Sequence, residues 1–439
     1  MRRIERAALE AAPRPADSEL PRSFADGIAY FEVYRGEFGP DDLAPELEAL
    51  ERLRRSDVPE LLDRAASNSH AIAPPCDEHA DEPLVLLTQS MMTGMHDAMR
   101  VHSELRELAW ALLVAIDQSV REGRWDDAAR TARHLIALSE LIASDPMPIH
   151  RHIADPFASR LATQLSGLTA DGQVSPEGAR VLRAALPDAM ERPALSRTVR
   201  VRHLIARDLM NHTYSGPGRG EGRHLTTALE AVKARQAALQ QQIGVITAGM
   251  PQGDADASPL RNLLWWTRPS RDELTDAAET LFDHLAKEST RPARDFDAES
   301  WESLGLDPDL AEQVDAEAEH EWLLRQLRSR DVLDMHWRGM HLMLAIEQFR
   351  GDRGRPPDSL DELVEAGLIE DVPIDPLSGQ TFGYRAPADA HDRPYIVYSF
   401  GFRGKDNGGR VPDDRHETGD PLFHADRAAA FDYVLGMPD

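Results

Sequence analysis

Cysteine is all but missing from this chain. Cys76 is the single one in 439 residues, so no intrachain disulfide can form. Lysine is nearly as scarce: only Lys233, Lys287 and Lys405 occur, and positive charge is carried almost entirely by arginine. We attribute that usage to a GC-rich genome rather than to function. Forty-nine basic residues face 76 acidic ones, a net charge of −27. Such a deficit of positive charge argues against a nucleic-acid partner, because phosphate binding needs a basic footprint. It disfavours docking on an anionic membrane surface for the same reason. Long apolar runs are lacking as well. Residues 1–20 contain no continuous apolar core of a signal peptide, and no later segment reaches the about 20 apolar residues of a membrane span.

Motifs of catalysis are missing too. His320-Glu321 has no second histidine to complete HExxH, and no Gly-x-Ser-x-Gly elbow, Walker loop or CxxC pair occurs. Cys76 and His79 are too few to make a zinc site, so Cys76 reads as a half-buried loop thiol. His150 with His152, and His336 with His341, are spaced so that the two rings fall on different helix faces. The Gly-x-Gly-x-Gly spacing within 211–223 follows a helix instead of a strand, so it reads as a linker and not a phosphate cradle.

What the chain does have is helical periodicity. Residues 1–20 are rich in Ala, Pro and Arg and read as disordered. Residues 21–309 form a mainly α-helical domain. Leu105, Leu108, Leu112, Leu113 and Ile116 lie on one stripe before Gly123 breaks the pattern. Trp125 to Ile142 follows, with Ala128, Ala132, Leu135, Ile136 and Leu138 facing inward. This hairpin is similar to one pair of a tetratricopeptide-type repeat, but no 34-residue period recurs. Either an irregular bundle or a degenerate helical repeat is therefore expected. Helices continue to Leu168, from Pro176 to Leu186, over the arginine-rich Arg192–Met210, and from Arg271 after the Ser270 cap. Residues 310–350 are expected to be one long connecting helix.

The most telling stretch is 342–439. Leu342, Ala345, Ile346 and Phe349 share a helix face, which Gly351 and Gly354 are expected to stop. Asp358 or Ser359 caps a short helix, with Glu362 placed as in a capping box. Pro373 and Asp375-Pro376 enforce a turn, Phe382 and Tyr384 alternate along a strand, and Tyr395–Ser399 is β-branched and aromatic throughout. A glycine-rich acidic loop follows, whose Asp406, Asn407, Asp413, Asp414 and Asp420 supply oxygens of the kind calcium takes.

The words AIEQFRGDRGRPPDSLDELV, PIDPLSGQTFGY and YIVYSFGFRGKDNGG resemble the globular head of type II secretion major pseudopilins. Over its whole length the chain is similar to large envelope proteins of planctomycete-type bacteria that end in this module. The resemblance implies an α+β fold: a large helical domain, then a small α+β head with an antiparallel sheet. It also implies a calcium ion at the acidic loop, with Asp406, Asp413 and Asp414 carried across and Asn407 beside them. A solvated acidic turn is the competing reading. The residues before Leu342 are too charged for a filament-forming pilin helix, so the head is expected to be reused as a domain.

Three functions are then open. One is a non-enzymatic envelope scaffold, outward-facing, with protein partners and with membrane contact only through an anchor outside this sequence. The second is an enzyme with its site where body meets head, near His336, Trp337, Arg338 and His341; such junctions are common ligand sites. The third is a peptide-binding adaptor with a groove over residues 84–210. A cytoplasmic location is the alternative to the envelope.

Overall fold

The computed structural model describes residues 105, 108–144, 148–213, 269–297, 299–386, 393–409 and 433–436. Over these residues the chain is mostly helical with one small antiparallel sheet, an α+β arrangement.

Local signals set the first helices. A helix over 108–121 (α1) ends at Gly123, whose φ of 69° is the left-handed turn that glycine accepts without strain. Helix α2 then spans Trp125–Ala143, with Asp126 and Asp127 complementing its N-terminal dipole. All five positions expected to face inward are buried. Helix α3 covers Pro148–Ala170 and α4 covers Pro176–Ala185, the latter capped by Ser175, whose Oγ accepts the Gly178 N–H at 3.1 Å. Pro193 disfavours a helical Arg192 before it, and α5 begins later than the periodicity suggests, spanning Leu195–Thr213. Helix α6, Arg271–Glu288, opens on a full capping box between Ser270 and Glu273.

The expected single helix from residue 310 is two. Helix α7 covers Pro308–Gln313, and α8 covers Ala316–Arg353, 38 residues and so about 57 Å at about 1.5 Å per residue. Between them Asp315 adopts φ 56°, alone among the described non-glycine residues in having a positive φ. The far end also differs from expectation. Gly351 does not stop α8; it lies inside the helix, so close to α4 that a β-carbon there would strike the Pro176 ring. Gly354, at φ 71°, makes the stop.

Helix α8 is the spine of the molecule. Trp337, Met340 and Leu344 enter an apolar cluster with α1 to α4. Ala316, Trp322, Leu323 and Leu327 enter a second with α5 and α6. Val332, Met335, Leu342, Met343, Ala345, Ile346 and Phe349 enter a third, shared with the C-terminal unit. Its central stretch is therefore buried on all sides, the condition under which a helix need not be amphipathic.

The C-terminal unit packs on that third face. Helix α9, Asp361–Glu365, buries Leu363. Half of its expected capping box forms: the Asp358 N–H donates to Glu362 at 3.2 Å, while no side chain caps the helix from the other direction. Strands β1 (Gly383–Arg385), β2 (Ile396–Ser399) and β3 (Tyr433–Val434) lie in that order, all antiparallel. Tyr384 pairs with Val397, and Ser399 with Tyr433. The central strand β2 is buried at all four residues.

Candidate functional site

The junction of α8 with the C-terminal unit holds several buried polar groups. Asp375 is fully buried in the Asp-Pro turn. Its Oδ1 accepts the Leu377 N–H at 3.0 Å, and its Oδ2 accepts the Ser378 and Ser399 hydroxyls at 2.7 Å each. The carboxylate thus locks the turn to the end of β2, which is what the PIDPLSG sequence builds. Glu347 of α8 is buried too. It accepts the Tyr395 hydroxyl at 3.0 Å and pairs with Arg350 at 2.8 Å. Burial pushes the Glu347 carboxyl up, with Arg350 and Tyr395 opposing. Burial, and then Glu347 itself, holds the Tyr395 phenol well above its ordinary value, so it stays a proton donor to that carboxylate.

The four residues proposed for an enzyme site are each tied to the frame. Trp337 Nε1 and His341 Nε2 both donate to the Pro187 carbonyl at 2.9 Å. Arg338 donates to the Ile374 carbonyl at 2.8 Å. His336 Nδ1 lies 2.5 Å from Ser159 Oγ of α3. A serine beside a histidine is the start of a nucleophilic centre. Here both residues are buried, His336 Nε2 makes no hydrogen bond, and the Tyr433 ring sits 5.1 Å from the imidazole. Desolvation, with Arg160 adding to it, lowers the His336 pKa from 6.5 to about 3. That imidazole is neutral at pH 7 and packed against Tyr433.

Arginines stitch the helical body to the head. Arg183 of α4 donates to the Leu368 carbonyl at 2.5 Å and to Gln348 at 2.8 Å. Arg294 donates to the Pro376 carbonyl at 2.7 Å, and Arg393 pairs with Asp171 at 2.9 Å. These bonds use the fork of donors that lysine lacks.

The acidic loop follows β2. Gly401 and Gly404 take positive φ, and Asp406 closes an Asx turn by accepting the Gly408 N–H at 2.7 Å, with the Tyr398 hydroxyl at 3.3 Å on the same oxygen. Asn407 donates to the Lys405 carbonyl at 3.3 Å. Two carbonyls that a cation could use are already accepting: Gly404 O from Gln380 at 2.7 Å, and Gly408 O from Arg385 at 2.9 Å. Asp413, Asp414 and Asp420 lie outside the described residues. The described part therefore brings one carboxylate to the loop, beside Arg385, Arg403 and Lys405, which does not by itself fit the six to eight oxygens of calcium. Among the described residues no three His, Cys, Asp or Glu side chains gather as a metal would need.

Cys76, the 211–223 glycines beyond Thr213, and the His150 and His152 side chains lie outside the described residues. Within the span proposed for a peptide groove, a cleft of about 470 Å³ lies between α2 and α4, lined by Ala129, Arg130, Arg133, Val181 and Ala185 among others. Among the described residues no helix is long and apolar enough to cross a membrane. No known protein family, curated protein or solved structure matches the chain.

Proposed function

We propose that this protein is a non-enzymatic scaffold of the bacterial cell envelope, with a pseudopilin-like head fixed to a helical interaction body. The observation that carries the reading is the division of α8 among all three apolar clusters, which makes body and head one mechanical unit. The engagement of His336, Trp337, Arg338 and His341 in structural bonds weighs on the same side. The enclosure of α8 argues against its forming the shared core of a pilus, and on this reading the head docks instead of polymerising. Cross-linking of the full chain in envelope extract, followed by mass spectrometry, is expected to return one or a few specific protein partners. Recovery of no specific partner, or filaments of the purified protein in electron micrographs, would overturn the proposal.

The resemblance brings calcium to the acidic loop, and we carry it as part of the same proposal, with Asp406, Asn407, Asp413 and Asp414 as ligands. Millimolar calcium is then expected to raise the melting temperature by several degrees, reversed by chelator, with magnesium doing much less. Identical melting curves with and without calcium would leave the segment a solvated turn.

A further inference from the structure

Helix α5 has two unlike sides. Its inner side packs on α6 and α8: Leu195 and Val199 are buried in the shared cluster, and the His203 ring stacks on Phe282 at 5.0 Å. Arg202 belongs to that side, where it pairs with Glu319 at 2.8 Å and lies 4.5 Å over the Trp322 ring. The outer side carries Arg197, Arg200, Leu204 and Arg207. At about 100° per residue these four fall within an arc of about 80°, and all are exposed. Leu204 is 41% exposed, and among the described residues only Ile374 is another large apolar side chain so open to water.

The three outer arginines have no answering acid. Among the described residues nothing pairs with Arg197, Arg200 or Arg207. Elsewhere the helices answer exposed arginines one turn away: Arg121 has Asp117, Arg325 has Glu321 and Arg338 has Asp334. On α5, in a chain with 76 acidic residues, no Asp or Glu stands three or four positions from any of the three. Arg197 and Arg200, three apart, repel each other instead. Asp208 is the sole acid in the sequence of α5, next to Arg207. Glu279 and Asp283 of α6 are in electrostatic reach of His203 but form no ion pair with Arg207. A protein of net charge −27 thus presents a basic stripe with a leucine in its middle.

The size of the stripe selects what it can hold. Ten positions of helix separate Arg197 from Arg207, about 15 Å at about 1.5 Å per residue. Charges more than about 8 Å away are largely screened at physiological salt. A short acidic segment on the stripe therefore feels the arginines. A nucleic acid or an anionic membrane would extend onto the acidic remainder of the chain and be repelled by it. A two-fold pairing of the stripe with its own copy would set arginine against arginine. Guanidinium forks take carboxylates bidentately, and their stems widen the apolar surface around Leu204. We infer that the outer side of α5 docks a short acidic segment of a partner protein, its carboxylates on Arg197, Arg200 and Arg207 and an apolar side chain against Leu204. Such docking gives the scaffold proposed above a class of partner, and rests on that reading only for its role in the cell.

The probe is a fluorescein-labelled peptide of about ten residues, rich in glutamate with leucine at its centre, matched to the length of the stripe. It is titrated into the full chain at pH 7 and physiological salt and followed by anisotropy, with polyuridylate and phosphatidylserine vesicles as competing anions. Saturable peptide binding is expected, weakening as salt rises. Changing Arg197→Gln, Arg200→Gln and Arg207→Gln together should weaken it at least tenfold, and Leu204→Ser alone several-fold. Both sets lie on the surface and should leave the melting temperature unchanged. The control is Arg121→Gln, Arg130→Gln and Arg325→Gln together, which removes the same charge from exposed positions elsewhere and should leave affinity within twofold. Absence of saturable peptide binding, equal losses in the two triple variants, or affinity unchanged in both the stripe triple and Leu204→Ser would each overturn the inference. So would tighter binding of polyuridylate or vesicles than of the peptide, or a dimer that only the stripe triple abolishes. Failure of the peptide while cross-linking in envelope extract still returns partners would sink this docking site and leave the scaffold reading standing.

Discussion

At the residue scale the buried histidines make the protein acid-sensitive in a definite window. His336 has an ordinary pKa of 6.5 and one of about 3 in the fold. Above pH 6.5 both states hold it neutral and it contributes nothing to pH dependence. Below 6.5 the unfolded chain takes up the proton first, so stability falls by up to about 1.4 kcal/mol per pH unit until the folded pKa is reached. His203, His284 and His320 are lowered as well, chiefly by burial, and add in the same direction. Glu347 works the other way: its raised carboxyl favours the fold below its ordinary value of 4.5, and that stability is lost as pH rises through the raised value. Burial raises Glu140, Asp315, Asp331 and Asp334 in the same direction as Glu347. The histidine contribution is therefore read as a difference: between pH 6.5 and 5 the urea midpoint of the wild type should fall relative to that of His336→Asn. Parallel wild-type and variant profiles would show that the imidazole is not buried neutral.

At the element scale, what was legible followed from distance along the chain. The Gly123 break, the five inward residues of α2 and the Ser270 capping box are each written within a few residues, and each stands where the periodicity puts it. The short strand β3 carries no such local mark, since Tyr433–Val434 is recruited by pairing with β2 across the sheet. The buried Arg192–Asp155 pair was invisible for the same reason: its two residues come from separate segments, and the only trace was an arginine-rich stretch from 192 to 210. Gly351 shows the conflict most clearly. As an isolated helix position it should welcome alanine, by about 1 kcal/mol of propensity. Against Pro176 the added methyl has no room, and overpacking of this kind costs about 1–3 kcal/mol. Gly351→Ala is thus expected to lower the melting temperature by a few degrees; a rise would mean that α4 and α8 do not touch there.

At the scale of the whole molecule, body and head depend on one another. A fragment of residues 316–439 would carry Trp337, Met340 and Leu344 with nothing over them. Expressed alone it is expected to aggregate or to bind hydrophobic dyes without a cooperative melt. Co-expressed with residues 1–315 it should be recovered as a soluble complex. A sharply melting, monomeric fragment would show the head to be an independent module.

The placement of the spine helix also sets a schedule for synthesis. Helices α1 to α4 leave the ribosome early, yet the residues that complete their cluster, Trp337, Met340 and Leu344, are translated some 150 residues after Leu186. At about 5–20 residues per second that gap lasts roughly 8–30 s. For that time the nascent bundle holds an open slot shaped for a helix it does not yet have, and a holding chaperone has its natural point of engagement there.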